Sequence, residues 1–357
     1  MNSEYVLLGR SGLRVSRFCL GTMTFGTDWG WGTAEDASRQ IFNHFLDSGR
    51  NFIDTADGYT NGTSETLIGK FLKERGDRDR VVLATKFGFG REEGNPNAGG
   101  LGRKNIYSAL HTSLRRLQTD YLDLYWLHNW DTFTPVEEVI STLDDLVRSG
   151  KVRYIGFSNS PGWFLGRAQT IAELRGYQRI IALQLEYSLV ERNIEREHVP
   201  AALELGMGVM PWSPLGHGLL SGKYQGSGKK VSGEGRLSVA GDHPAVAPLL
   251  TERNWAIAGE LAKVANELGG SPAQVALNWV ANRPAVSSVI IGATKIQQLQ
   301  DNLTALDFAI PAELKNRLDE ISAPDVHYPY YFFTAQDFRD MVSGKTKVRR
   351  TKELQAA

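Results

Sequence analysis

Four side chains in the N-terminal part of the chain, Asp54, Tyr59, Lys86 and His128, could together move a proton without a metal. A tyrosine ionises near pH ~10, and an ammonium within a few ångströms favours the phenolate and draws that value towards neutrality. Lys86 is expected to do this for Tyr59. An ammonium removed from water needs a counter-charge to stay protonated, and Asp54 is expected to supply it. His128 can hydrogen-bond a carbonyl oxygen and turn it towards the phenol. A tuned acid of this kind suits reduction of a carbonyl, in which hydride arrives from a cofactor and a proton from the protein. Taken alone, an Asp–Lys pair reads equally as a structural ion pair, and a single histidine as a packed one. The four together favour chemistry, provided the fold brings them to one place.

The elements that must do so are short apolar runs, each followed by a loop and a stretch with helical spacing, the pattern of βα units around a parallel sheet. The runs are Arg17–Gly21, Asn51–Asp54, Val81–Lys86, Tyr121–His128, Val152–Ser158, Ile181–Glu186, Gly208–Trp212 and Ser288–Gly292. Asp54, Lys86 and His128 end the second, third and fourth runs, and Tyr59 follows in the loop after the second. Consecutive strands of a parallel barrel are neighbours, and such barrels work at the C-terminal ends of their strands. Helix punctuation fits. Thr33 is expected to cap a helix through Ser48 that stops at Gly49, and Ser64 to cap Glu65–Arg75. Pro135 should open a helix closed by Gly150, and Ser271-Pro272 one over Ala273–Asn282. The fold class is α/β, a (β/α)8 TIM barrel. A short hairpin over Tyr5–Val15, a long loop from Gly216 to about Ala247 after the seventh strand, and a C-terminal extension account for the surplus length. A single barrel domain is expected over residues 1–324, with the extension at 325–357.

Rival readings fail on spacing. A doubly wound dinucleotide fold wants Gly-x-Gly-x-x-Gly, and both Gly88-x-Gly90 and Gly216-x-Gly218 have their third glycine one position late. Ser343-Gly-Lys-Thr346 has only the tail of a phosphate loop, because Arg339 stands where the first glycine should be. Gly156-Phe-Ser158-Asn-Ser160 ends in Ser where a nucleophile elbow has Gly. The seven histidines lack metal-site spacing and there is one cysteine, so no metal is expected. With 40 Lys+Arg against 40 Asp+Glu, the charge balance argues against nucleic acid as a partner. The lone Cys19, the lack of a long apolar run and the lack of a secretion-like start make a cytoplasmic protein without a membrane role the expectation.

The order of several stretches is more specific than any one of them. Leu8-Gly-Arg-Ser-Gly-Leu-Arg-Val-Ser16, Leu20-Gly-Thr-Met-Thr-Phe-Gly26, Phe52-Ile-Asp-Thr-Ala-Asp-Gly-Tyr59, Ser64-Glu65, Leu83-Ala-Thr-Lys86 and Tyr121-Leu-Asp-Leu-Tyr-Trp-Leu-His128 come first. Gly150-Lys-Val-Arg-Tyr-Ile-Gly-Phe-Ser-Asn159, Gln184, Trp212-Ser-Pro-Leu215, Leu220-Ser-Gly-Lys-Tyr224 and Ile291-Gly-Ala-Thr294 follow, with Gln298, Asp301 and Asn302. Over about residues 5–324 the chain resembles an aldo-keto reductase.

The resemblance implies an NADPH-dependent carbonyl reductase, reversible, with Tyr59 as general acid supported by Lys86, Asp54 and His128. It implies that Ser158, Asn159 and Gln184 hold the nicotinamide carboxamide and that Trp212 stacks on the ring. Ser213, Pro214, Leu215 and Lys223 would follow the pyrophosphate, and Gly292, Thr294, Gln298, Asp301 and Asn302 would surround the adenosine. Gly21, Thr22, Met23, Asp54, Gly218, Arg236 and Ile291 complete the implied cofactor set. Many relatives carry a cation where Gln298 stands, paired with the 2′-phosphate that distinguishes NADPH from NADH. Lys295 and Arg236 are the nearby alternatives, so NADPH is favoured and NADH stays open. Asp57-Gly58 is a variation expected to alter the pocket wall.

Trp-Ser-Pro-Leu with Leu-Ser-Gly-Lys-Tyr resembles the branch that contains the potassium-channel beta subunits. That opens a second reading, a cofactor-sensing regulatory subunit that binds NADPH and a partner protein. The intact tetrad favours a catalyst taking a small carbonyl or alcohol substrate, with oligomeric state open. Specificity is expected from the loops Trp29–Trp31, Phe87–Gly102, Asn129–Phe133 and Gly216–Ala247 and from the tail. Trp29, Trp31 and Trp130 are expected to give the mouth an apolar or sugar-stacking rim. In the tail, Tyr328–Phe333 is expected to pack on an outer helix or fold over the mouth, and the basic run Lys345–Lys352 to be a solvated end.

Overall fold

In this computed structural model the described residues are 4–233, 235–239 and 246–347. Tyr5–Leu7 (β1) pairs antiparallel with Arg14–Ser16 (β2). Then come Phe18–Gly21 (β3), Phe52–Asp54 (β4), Val82–Phe87 (β5), Leu122–Leu127 (β6) and Val152–Ser158 (β7). Ile180–Glu186 (β8) and Gly208–Trp212 (β9) precede a hairpin of Gln225–Ser227 (β10) with Lys230–Ser232 (β11), and Val289–Ile291 (β12) is last. One sheet runs in the order β12-β3-β4-β5-β6-β7-β8-β9, with every neighbour parallel. Its ends meet. Val209 of β9 donates to the Ala285 carbonyl (2.7 Å) and accepts from the Ser287 amide (2.9 Å), just ahead of β12. The eight runs in the sequence are these eight strands, and the fold is a (β/α)8 barrel with an N-terminal hairpin.

The helices on the outside are Glu35–Asp47 (α1), Thr63–Arg75 (α2), Arg103–Leu117 (α3), Val136–Arg148 (α4), Gly162–Arg175 (α5) and His198–Leu205 (α6). The short Arg236–Val239 (α7) lies in the long loop, followed by Glu252–Leu268 (α8), Pro272–Ala281 (α9), Ile296–Leu303 (α10) and Ala312–Ile321 (α11). Tyr331–Thr334 (α12) and Gln336–Ser343 (α13) form the tail. Among the described residues no helix is long and apolar enough to cross a membrane.

The period-two alternation of a strand explains which residues point where. Cys19, Phe52, Val82, Ala84, Leu124, Trp126, Ala182 and Met210 fill the barrel interior. Their neighbours Leu20, Ile53, Leu83, Phe87, Tyr125, Leu127, Leu183 and Val209 face the helices. Continuing the inward parity by one step brings Asp54, Lys86, His128, Gln184 and Trp212 to the C-terminal mouth. The opposite end is plugged by the hairpin: Leu8 and Val15 are fully buried under the interior cluster, and Arg10 N donates to the Gly206 carbonyl at 2.7 Å. Gly9 permits this approach. Its φ is +58°, and a Cβ there would lie 2.2 Å from the Ile181 carbonyl oxygen.

Ser271 caps α9 reciprocally with Gln274, and Pro135 precedes α4, as the sequence implies. Two caps are different. α1 begins after Ala34, and the Thr33 hydroxyl donates to the Thr24 carbonyl instead, at 2.7 Å. α2 begins at Thr63 after Gly62, so Ser64 lies inside it and donates to the Thr22 carbonyl at 2.8 Å, tying the helix to the loop after β3. A hydroxyl with a buried tertiary acceptor gains more there than at a solvated helix end.

The tail touches the barrel lightly. Tyr330 donates to Glu197 (2.6 Å) and Arg196 to the Asp325 carbonyl (2.8 Å), while Tyr331, Phe332 and Phe338 stack on one another. The aromatic run is therefore largely exposed and rests on α13 of the tail itself rather than on an outer helix of the barrel. Most of the basic run, from position 348 onward, lies outside the described residues.

Candidate active site

Four strand ends and one loop make the centre of the mouth. Lys86, fully buried on β5, contacts the Asp54 carboxylate of β4 and donates to the Thr55 carbonyl (2.7 Å) and the Tyr59 hydroxyl (3.2 Å). Gln184 on β8 reaches across the barrel to donate to the other Asp54 oxygen at 2.9 Å. Asp54 thus holds both its neighbours by charge-assisted bonds. His128, just past β6, has its ring 5.9 Å from that of Tyr59, edge to face. The four candidate catalytic residues converge.

Tyr59 is presented by a tight turn. Thr60 and Asn61 have positive φ (46° and 55°), a conformation costly for residues with a Cβ. Thr60 is held there by donating to the Phe25 carbonyl (2.7 Å) and accepting from the Ser64 amide (3.0 Å).

The electrostatics differ from the expectation in one respect. Burial raises the Tyr59 phenol above its ordinary value, and the Lys86 ammonium opposes this without reversing it. Burial is the largest cause, and the Asp54 charge against the same ammonium adds to it, so Tyr59 is a neutral O–H donor at physiological pH. Lys86 itself is pushed down by burial and raised more strongly by Asp54 and Tyr59, so it stays charged. His128 is held well below the usual histidine value by burial and by the Lys86 charge, hence neutral. A neutral phenol and a neutral imidazole can each donate one hydrogen bond to a carbonyl oxygen, with a cation behind the phenol.

Arg236 apart, the residues implied for a nicotinamide cofactor lie at or after the C-terminal ends of the strands that form the same mouth. Gly21, Thr22 and Met23 leave β3, with Thr22 donating to the Asp54 carbonyl at 3.0 Å. Ser158 ends β7, its hydroxyl buried without a partner, the kind of orphan a carboxamide satisfies. Asn159 is already engaged: it donates to the His128 carbonyl (2.9 Å) and accepts from the Trp212 indole (3.2 Å), so it orients those two residues as well. After Trp212, Ser213 has φ +50° and its hydroxyl accepts from the His217 amide at 2.8 Å, closing a turn over Pro214, Leu215 and Gly218. Lys223 lies over the Tyr224 ring. Ile291 ends β12, and Gly292 follows it. Thr294 and Lys295 donate their amides to Gln298 at the start of α10, whose body carries Asp301 and Asn302. The Arg236 side chain lies outside the described residues. The donors and the orphan hydroxyl fit a dinucleotide. Among the described residues no cluster fits a metal.

Three features escaped the sequence. Phe89 packs edge-on against His128 (4.6 Å between ring centroids), which no spacing rule announces because it lies in a loop. Asp57 does not line the pocket wall: its carboxylate is fully buried, 3.5 Å from Arg91. Glu65 is also fully buried, bound by Thr85 (2.7 Å) and Arg116 (3.1 Å).

A barrel with this mouth defines a class of enzymes that exchange hydride and proton with a carbonyl. Residues 17–323 match the Aldo/keto reductase family. A Bacillus subtilis (strain 168) protein named "Uncharacterized oxidoreductase YrpG" is 40% identical over 89% of this chain and 95% of its own length. Norsolorinic acid reductase A of Aspergillus parasiticus is 32% identical, over 95% of this chain and 87% of its own. The aryl-alcohol dehydrogenase [NADP(+)] of Phanerodontia chrysosporium is 32% identical, over 90% and 86%. The chain belongs to the aldo/keto reductase family and is an NAD(P)H-dependent oxidoreductase of carbonyl compounds.

Proposed function

We propose that the chain reduces aldehydes and ketones, aromatic ones foremost, to alcohols, with NADPH as reductant and Tyr59 as proton donor. The observation that carries this is the single Lys86 ammonium held between Asp54 and the Tyr59 hydroxyl. A substrate carbonyl oxygen accepts from the Tyr59 O–H and from neutral His128. A bound dihydronicotinamide supplies the hydride. As negative charge develops on the oxygen, the phenol proton passes to it, and Lys86 at 3.2 Å stabilises the phenolate left behind. Tyr59 recovers its proton from solvent, and the sequence runs backwards for an alcohol.

The aromatic preference is supported by the residues near the mouth, Trp29 against Trp31 (5.4 Å) and Phe89 on His128, and by the aromatic substrates in the names of two relatives. For the cofactor, Gln298 is occupied in holding the start of α10, which leaves Lys295 beside it, together with Arg236, as the cations for a 2′-phosphate. Lys295→Met is expected to lower the preference for NADPH over NADH by about 10-fold or more, the value of a charge-assisted contact.

The test uses purified protein, NADPH, and a panel of benzaldehydes and aliphatic aldehydes. Tyr59→Phe is expected to lower kcat by about 10²–10⁴-fold while NADPH fluorescence on binding is retained. Equal turnover by the variant sinks the assignment. The complete tetrad supports turnover over a purely regulatory role, and a stable protein partner with no turnover on any carbonyl would reverse that judgement.

A further inference from the structure

Two residues ahead of Tyr59, the Asp57 carboxylate is fully buried and neither oxygen has a hydrogen-bond partner. A carboxylate so placed is expensive unless it is paired. Its amide donates to the Lys86 carbonyl at 3.2 Å, so the residue is fixed to the catalytic strand. The nearest cation is Arg91, with Nε at 3.5 Å and also without a hydrogen-bond partner. Arg91 lies in the loop between β5 and α3 and organises it. Its amide donates to the Ala98 carbonyl (3.0 Å), and its guanidinium to Asn105 (2.8 Å) and Ser108 (3.3 Å) on α3. The same loop carries Phe89, which packs on His128.

We propose that Asp57 is a positioning residue: through Arg91 it seats the 88–102 loop, and with it Phe89, on the substrate side of His128.

The pairing is set by charge, and the charges around Asp57 compete. Glu65 of α2 repels it, whereas Arg91 and Arg116 attract it, and Arg116 also donates to the Asp57 carbonyl at 2.9 Å. Burial, reinforced by Glu65, pushes the Asp57 carboxyl up to about 7. Burial is the main cause that raises the hydroxyls of Tyr59 and of Tyr125 on β6, and the Asp57 charge adds to it. The link to Arg91 is therefore made on the alkaline side of neutrality and released on the acid side.

This inference rests on the proposed reductase activity only for its kinetic readout, and a second readout is independent of turnover. In hydrogen exchange of the full chain, the protection of residues 88–102 should rise between pH ~6 and ~8 in the wild type and stay flat in Asp57→Asn and Arg91→Gln. With an aromatic aldehyde, both variants should raise KM about 10-fold at pH ~8 with kcat within about 2-fold of wild type, and the difference should vanish at pH ~6. Arg91→Lys should retain part of the pH step. Protection and KM that match the wild type in both variants overturn the proposal, as does a loss of kcat at unchanged KM. If no carbonyl is reduced yet the protection behaves as stated, the reductase reading falls and this one stands.

Discussion

Replacing Asp54 by Asn would leave the Lys86 ammonium buried among neutral acceptors. Removing one partner of a buried pair costs about 3–5 kcal/mol, so Asp54→Asn should melt well below the wild type, and its activity should fall because Lys86 loses its proton more readily. Thermal melts with and without NADPH measure the first effect, and the pH profile of kcat the second. Asp57→Asn should act in the opposite direction. Its folded value, about 7 against 3.8 when unfolded, means that the folded protein binds the proton more tightly. The associated stability is full below pH ~4 and is lost as pH rises to ~7. Asp57→Asn removes that loss, so its melting temperature relative to wild type should climb from pH ~5 to pH ~8; a constant difference would refute the titration. At this scale the sequence was informative for Asp54, Lys86 and His128, whose strand parity is readable. It was misleading for Tyr59, because the burial that raises the phenol, with the Asp54 charge added to it, depends on the packed structure. It was silent on Arg91, whose partner lies in another loop.

The strands were legible because each is a short apolar run bounded by turn residues, and alternation within them gave the inward face. Thr33 and Ser64 were misread because a hydroxyl near a helix start has two outlets, the helix amides or a buried carbonyl elsewhere, and only the packed structure decides. The hairpin β1–β2 is the element whose failure should be most visible. Gly9→Ala forces a Cβ against the Ile181 carbonyl at a left-handed φ, and this should cost at least ~1–2 kcal/mol and loosen the plug. Chemical denaturation should show a lower midpoint, and Gly12→Ala, where a Cβ meets nothing within 4 Å, serves as the control. Equal midpoints would mean that the hairpin yields without loss.

For the whole molecule, the barrel and the extension after it behave as separable parts in our reading. Among the described residues, a chain ending at Pro324 loses the Tyr330–Glu197 and Arg196–Asp325 contacts and a self-stacked aromatic group, so its melting temperature should stay within a few °C of the full chain. A collapse would make the tail integral to the fold. The seam between β9 and β12 has a different importance. Seven strand pairs form ladders, but here one isolated bridge, with two backbone bonds around Val209, holds the cylinder shut. The residues proposed to cradle the two halves of the dinucleotide, Trp212–Leu215 on one side and Gly292–Asn302 on the other, flank that seam. A bound cofactor would then act as a clasp: the barrel opens first where it is least laced, and loading with NADPH should slow amide exchange at Val209 and Ser287 more than at any interior strand.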